Sequence, residues 1–366
     1  MQKNINLHLP INGLSFGNFS VNLLFEFYKK QISPKLAPIG NKMELEPFRE
    51  KLPKDFLTWL QSCSKNSNAT INKNDPGFKI WHIAGSLESI SKNQALFTFH
   101  ELDSITNSEK NILKNQWKVF VSSSYTEEVF KKSGVDNVKF IPLGIDNETF
   151  FRTGKQYHDP EITYFGLVGK WEKRKHHARV LSLWAQKYGN NPKYVLNCAV
   201  FNPFLKQEQL AAEIAQALKG KKYFNINFLS YIPSNAGYNE FLNSNDIILG
   251  MSGGEGWGLP EFQSVCIGKH AVILNAHAYK DWADEDSACL VEPSGFIEAY
   301  DGKFFHPGVE FNQGNIFTWE DEAFLFGCES AEKRLAESRI NTKGQLLSQK
   351  FTWEKTFNYI HNELVQ

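Results

Sequence analysis

What most constrains this chain is its rhythm: short apolar runs of strand length alternate with amphipathic stretches of helical spacing almost from end to end. Ile5 to Leu9 reads as a strand, Pro10 to Ser20 as a glycine-bearing loop, and V-N-L-L-F-E-F-Y-K-K as a helix. Phe78 to Ile83 and Ala95 to His100 read as strands. A helix (E-K-N-I-L-K-N), a strand (W-K-V-F-V-S-S) and a helix (S-Y-T-E-E-V-F-K-K-S-G) follow, the last capped by Ser124 or Thr126 and ended by Gly134. The second half repeats the pattern, with strands at Ile162 to Val168, Tyr194 to Val200, Ile226 to Ile232 and Asp246 to Ser252, and helices ending at Gly189 and Gly220. Parallel strands need long crossovers, and the crossover helices cover both faces of the sheet, so this order predicts an α/β fold with parallel sheets. Residues 33–80 are less regular. An amphipathic run from Glu46 to Leu60 precedes a polar stretch, Cys63 to Gly77, that is expected to be exposed turn.

A length of 366 residues with 42% hydrophobic side chains suits two domains, each with its own core. The boundaries expected are 1–151, 152–350 and a terminal helix at 351–366, with Arg152 to Pro160 as linker. Forty basic and forty acidic side chains give no net charge, which argues against dominant non-specific binding to nucleic acid or anionic lipid. Cys63, Cys198, Cys266, Cys289 and Cys328 are odd in number and widely spaced, which points to reduced thiols rather than disulfides or zinc. The first residues lack a signal peptide's apolar run, and no stretch has the length of a membrane span, so a cytoplasmic protein is expected.

Two segments carry the chemistry. Met251 to Gly268, M-S-G-G-E-G-W-G-L-P-E-F-Q-S-V-C-I-G, follows an apolar strand and enters a helix at Pro260. Gly253, Gly254, Gly256 and Gly258 permit a tight path whose amides can hold phosphate or hydroxyl oxygens, and Glu255 can accept hydrogen bonds from sugar hydroxyls. Phe165 to His177 follows another strand and gathers Lys170, Lys173, Arg174 and Lys175 beside Gly169, cations able to neutralise a diphosphate. His176 and His177 read as the first turn of a helix. Gly13, between the first strand and helix, offers a third anion-binding turn. His82 alternates with apolar neighbours and reads as a core or rim histidine. No metal-ligand spacing such as H-E-x-x-H occurs, so neither a catalytic metal nor a permanently bound cofactor is expected.

Together these segments resemble the retaining family 4 glycosyltransferases. Gly169-Lys170 followed by Lys175 is similar to that family's G-R-x(4)-K diphosphate pair. Tyr231-Ile232-Pro233 resembles its nucleobase-side loop, and G-G-E-G-W-G-L-P the first half of its E-x(7)-E signature. S-S-x-x-T-E-E-V-F with Ile141 to Asp146, the Pro10 to Asn18 glycine loop, and Phe351 to Phe357 resemble the interdomain approach, the donor-facing loop and the returning terminal helix. The resemblance implies the GT-B architecture, two Rossmann-like domains facing across a cleft, with a nucleotide-diphosphate sugar as co-substrate. It also implies catalytic roles for Lys170, Lys175, Glu255 and His100, and a donor-binding site formed by Gly13, Gly169, Arg174, Tyr231, Ile232, Gly253, Gly254, Gly256, Trp257, Gly258, Leu259 and Gln263. His100 would face the transferred sugar, with Glu101 and Asp103 on the acceptor side.

Two positions depart from the family. Lys170 stands for its Arg, keeping the charge without the bidentate fork, and Gln263 stands for the second Glu, which binds ribose there. Glu261 lies two residues earlier and is expected to point elsewhere on the helix. The implied reaction is transfer of a hexose or pentose, with retention, to an acceptor hydroxyl. Glycan, lipid-carrier, protein and small-molecule acceptors all stay open. Pro307 to Trp319 has the character of a phage subgroup, which admits a modified base in DNA as acceptor. A sugar-nucleotide-binding protein without turnover and a nucleotide-sugar epimerase are the remaining alternatives.

Overall fold

The computed structural model describes residues 4–40 and 42–366, which form two compact units. The first holds the chain up to residue 149 together with 308–313 and 351–366; the second holds 150–307 and 314–350.

In the first unit β1 (Asn6–Pro10), α1 (Ser15–Lys29), β2 (Lys35–Ile39), α2 (Phe56–Thr70), β3 (Gly77–Ile80), β4 (Gln94–Thr98), α3 (Asn107–Lys114), β5 (Lys118–Val121), α4 (Ser124–Lys132) and β6 (Val138–Phe140) follow in order. The strands form one parallel sheet, β2-β1-β3-β4-β5-β6. Every residue of β3 and β4 is buried, as two-sided helix cover requires. The order reverses between β1 and β3, so the loops leaving their carboxyl ends diverge and open a crevice there.

Three local expectations need correction. The helix starts at Ser15, so the glycine loop is only about four residues long. Gly17 lies inside α1, where a Cβ would sit 2.2 Å from the Asn12 carbonyl oxygen. The polar stretch after Cys63 is not turn at first but continues α2 to Thr70, while the irregular residues before it supply β2. The exposure expected for 66–70 lies outside the described side chains. Ser123, not Ser124 or Thr126, caps α4, its Oγ accepting from the Thr126 amide at 3.1 Å. The terminal helix, Trp353–Val365, packs on α1 through Phe19–Trp353 and Phe27–Phe357 ring contacts. Gly144 in I-P-L-G-I-D admits this, since a Cβ there would lie 2.1 Å from the Trp353 nitrogen.

The second unit runs β7 (Thr163–Gly169), α5 (His177–Tyr188), β8 (Tyr194–Val200), α6 (Gln207–Ala217), β9 (Ile226–Phe228), α7 (Asn235–Asn243), β10 (Ile247–Gly250), α8 (Leu259–Cys266), β11 (His270–Leu274), β12 (Cys289–Val291) and α9 (Asp321–Glu337). Its sheet is parallel throughout, in the order β12-β11-β10-β7-β8-β9. Read from the other edge this is the doubly wound 3-2-1-4-5-6 order, with its reversal between β7 and β10. The alternation did not signal an antiparallel ribbon, Gly295–Glu298 paired with Asn315–Thr318. All five cysteines are buried free thiols. Among the described residues no helix is long and apolar enough to cross a membrane.

Candidate functional site

The two chemically distinctive segments leave adjacent strands. β10 and β7 pair in register, Leu249 opposite Leu167, so the glycine-rich loop and the basic loop emerge side by side at the switch point. Gly169 ends β7 at φ +111°, a left-handed conformation that turns the chain sharply, and a Cβ there would lie 3.4 Å from the Lys175 Nζ. A short 3₁₀ turn, Lys173–Lys175, then brings Lys175 back over the strand end, and His176 at φ +53° starts α5.

The charges interlock. Lys175 Nζ lies 2.6 Å from Glu255 Oε1 and 3.8 Å from Glu261 Oε1. Arg174 Nη1 donates to the same Glu255 oxygen at 3.0 Å and to the Gly254 carbonyl at 2.6 Å, and its Nε meets Glu172 at 2.9 Å. Glu172 also holds Lys170 at 2.6 Å. Lys175 and Glu255 are both buried, 5% and 7% exposed, so this is a low-dielectric cluster in which charge must be balanced. Burial acts on Glu255 most strongly and would raise its pKa. The Lys175 and Arg174 cations outweigh it and hold the carboxyl down at about 2. Glu261 responds the other way. Burial and the Glu255 charge raise its pKa despite Lys175, and its Oε2 has no hydrogen-bond partner.

The glycines of the second loop have specific duties. A Cβ on Gly253 would lie 2.3 Å from the Phe317 carbonyl, and one on Gly258, at φ +79°, 2.2 Å from the Tyr279 ring. Gly258 is the N-cap of α8 and offers no side-chain cap, which leaves the helix's positive end open to an anion. Burial depresses three neighbouring imidazoles, His176 and His277 to about 4 and His177 to about 3. Neutral, they bond the carbonyls of Phe317, Ser252 and Val168 at 2.9, 2.8 and 3.1 Å and fix the loops.

Around this cluster the residues expected from the sequence divide. Gly253, Gly254, Gly256 and Glu255 join the basic loop, and Leu259 begins α8. Lys170 is more open, its ammonium 5.5 Å from the Phe304 ring centre and 5.9 Å from that of Phe204. Tyr231, 59% exposed, leans on Phe201 with ring centres 5.3 Å apart, and Ile232 follows it in the same loop. Trp257, one of the residues expected in the donor site, turns its side chain into the core. It is buried against Phe262, and its carbonyl accepts the Trp282 indole N–H at 2.9 Å, so only its backbone faces the loop. Lys173 is likewise committed, donating to the carbonyls of Glu298 and Tyr300. Glu261 does not point elsewhere, as helical geometry suggested, but into the cluster, while Gln263 is buried on the same helix.

In the first unit the switch point joins the loops after β1 and β3. Gly13 is exposed just before α1, and Phe16 packs edge-on against His82 at 4.7 Å and against Phe99 at 4.9 Å. His82 is therefore an exposed rim residue rather than core. His100 is buried instead: its Nε2 bonds the Ser104 carbonyl at 3.0 Å and its ring rests on Phe130. Burial lowers its pKa, against Glu109, Glu101 and Asp103, which raise it. That bond ties His100 into its own loop, which carries the half-buried Glu101 and Asp103. Gly308–Gln313 docks on the same loop, Ser104 Oγ donating to the Gln313 carbonyl at 2.8 Å and Thr106 Oγ1 to that of Glu310 at 2.6 Å.

Glu172, His277 and Tyr279 were missed from the sequence. Glu172 was legible as the acid within a basic run, but His277 and Tyr279 reach the loop only through the fold. The expectation that the sequence carries no metal-ligand spacing needs correction, since Asp284-Glu285-Asp286 has the spacing of a metal-binding acidic pair. Asp284, however, accepts from the Ser287 amide and hydroxyl, both at 2.8 Å. Among the described residues no group of three or more His, Cys, Asp or Glu side chains is placed to hold a metal ion.

No family model matches the sequence, and a comparison with curated proteins finds no match. Solved structures do match. A sucrose-phosphate synthase from Thermosynechococcus elongatus superposes with a TM-score of 0.70 over 99% of this chain and 98% of its own, at 13% identity. A glycosyltransferase from Rickettsia africae gives 0.69 over 100% and 99%, at 12% identity. The fold is GT-B. HepE from Anabaena, solved with UDP and glucose, shares this GT-B fold at a TM-score of 0.67 over 99% of both chains, at 12% identity. At such identities the likeness is one of fold, and the chemistry of this GT-B protein rests on its own residues.

Proposed function

We propose that this protein transfers a sugar from a nucleotide-diphosphate donor to an acceptor hydroxyl, with retention and without a metal. The observation that carries the reading is the Lys175–Glu255 contact at 2.6 Å, set at the switch point of the second sheet beside the uncapped start of α8. A diphosphate leaving group needs fixed positive charge where its own charge develops. Lys170, the α8 amides and Lys175 supply it, with Arg174 holding Glu255 ionised and in place. Glu255 accepts hydrogen bonds from the sugar hydroxyls. The Phe201–Tyr231 pair offers an aromatic face to the base, and Gln263 one amide to the ribose. The departing phosphate oxygen takes the acceptor proton, so no protein base is required. His100 orders the loop bearing Glu101 and Asp103, which are assigned to the acceptor.

Glucose bound with UDP in HepE makes UDP-glucose the first donor to test. The assay is release of UDP from UDP-glucose, with a panel of glycan, lipid-carrier, peptide, small-molecule and hydroxymethylated-DNA acceptors. Glu255→Gln, which leaves the buried Lys175 and Arg174 short of a counterion and so lowers the thermal transition, is expected to lose at least a hundredfold in turnover when assayed well below that transition. Full turnover in Glu255→Gln would end the assignment. A sugar-nucleotide-binding protein without turnover is the second reading, favoured by Gln263 in place of the ribose-binding carboxylate. Calorimetric binding of UDP-glucose without UDP release or epimerised product over long incubation selects it.

A further inference from the structure

The second unit has a cavity of about 240 Å³ at the edge of its sheet opposite the glycine-rich loop. Tyr164, near the start of β7, Asp246, just before β10, and Lys269, just before β11, form its floor. The segment Arg152 to Pro160 forms one wall and Arg339 another. The wall is anchored. The Thr153 amide donates to Asn243 Oδ1 at 3.1 Å, Asn243 Nδ2 donates to the Phe151 carbonyl at 2.9 Å, and Glu240 takes Lys155 and the Tyr157 hydroxyl.

Positive charge is in excess here. Lys269 is buried, and its Nζ donates to a neutral group, the Asn243 carbonyl, at 2.5 Å. Arg152 Nη1 is buried with no hydrogen-bond partner. Arg339 holds Asp246 at 3.2 Å through Nη1 and the Pro160 carbonyl through Nη2. Asp246 also accepts from the Tyr164 amide at 3.0 Å, and Asp159 accepts from the Glu161 amide at 2.9 Å. Arg152, Lys269 and Arg339 thus face two lining carboxylates, Asp246 and Asp159, of which Asp246 already pairs with Arg339. Burial first, helped by the Arg152 and Arg339 charges and opposed by Asp246, lowers the Lys269 pKa to about 8. Buried donors without partners and like charges without a counterion are both costly, and one ligand removes both costs.

We propose that this cavity binds a small tetrahedral oxyanion, a phosphate or the phosphoryl group of a phosphomonoester. The free Arg152 N–H and the Lys269 ammonium supply charge-assisted donors, and Arg339 closes the ring. At about 30 Å³ per water the space holds roughly eight waters, enough for a phosphoryl group with a small organic remainder. β7 separates the cavity from the candidate donor site by about 20 Å at strand rise, so the two sites are occupied independently.

The test is calorimetric titration with inorganic phosphate against a chloride background of constant ionic strength. One phosphate per chain is expected. Arg152→Gln and Lys269→Met should each bind at least tenfold more weakly, and Lys170→Gln, altered at the other edge, as the wild type does. Because Arg152 Nη1 is unpaired, Arg152→Gln should be as stable as the wild type or more so without phosphate, and should lose the thermal shift that phosphate gives the wild type. Glucose 6-phosphate binding tighter than phosphate identifies an ester ligand; equal binding identifies the free ion. Phosphate affinity unchanged in both cavity variants, or lost in Lys170→Gln instead, overturns the assignment. So does Arg152→Gln being destabilised to the same extent with and without phosphate.

Discussion

Lys175→Met removes one cation from a cluster that is otherwise balanced. Glu255 keeps Arg174 at 3.0 Å, but Glu261 loses the cation that lies 3.8 Å from it. Breaking a buried pair by deleting one partner costs about 3–5 kcal/mol. A second route gives a similar figure. Glu255 is held at about 2 against an ordinary 4.5, and at 1.36 kcal/mol per unit that is about 3 kcal/mol, some of it owed to Arg174. Glu261, whose pKa is already raised, offers relief by taking a proton, so the lower figure of about 3 kcal/mol is expected. For a unit of this size that is a fall of about 6–12 °C in Tm. The pH dependence has a definite sign. A depressed carboxylate contributes stability that is complete above its unfolded pKa and is lost as pH falls through its folded one. The gap between wild type and variant is therefore widest above pH 6 and narrows between about 4.5 and 2. Scanning calorimetry at pH 8 and pH 4, with urea titration as a second probe, measures it. A Tm within 2 °C of the wild type at pH 8, or an equal penalty at both pH values, would refute the reasoning.

Glu261→Gln should leave stability unchanged or raise it at pH 8. A raised folded pKa contributes stability below the unfolded value and loses it as pH rises through the folded one, so the charged form costs the fold; the gain should vanish at pH 4. Gly258→Ala combines a left-handed φ with a Cβ 2.2 Å from the Tyr279 ring. A loss of about 3 kcal/mol or more is expected in urea unfolding, partly restored by Tyr279→Leu; no loss would contradict the packing. Tyr231→Ala, at an exposed position, should leave Tm unchanged and raise the KM for a nucleotide sugar about five- to a hundredfold with kcat little altered, as loss of base stacking worth about 1–3 kcal/mol would. An unchanged KM removes Tyr231 from the donor site.

The α/β class and most strands were legible because period and punctuation are local properties. Tyr194 to Val200, with apolar side chains between Gly189 and Gly220, reads as a strand and is one. The glycine-rich and basic loops were legible for the same reason, since each closes a strand and opens a helix. What was not legible depended on partners far along the chain. Cys63 to Thr70 reads as turn by composition, yet it continues a helix whose earlier residues, Phe56 and Leu60, are buried. Trp257 stands among glycines, yet its ring packs on Phe262 and its carbonyl takes the Trp282 indole N–H, contacts that no local pattern announces.

The sequence by itself determined which chemistry is present: lysines after one strand, a carboxylate among glycines after another, and the left-handed turns those glycines allow. Only the tertiary structure decided that Lys175 and Glu255, eighty residues apart, share a buried contact, because that depends on β7 and β10 being neighbours at the reversal of the sheet. It likewise decided that Glu261 turns into the cluster, and that Arg152, Lys269 and Arg339 crowd one cavity with too few carboxylates. Local propensity fixes the elements, but charge balance is set by which elements the sheet order brings together.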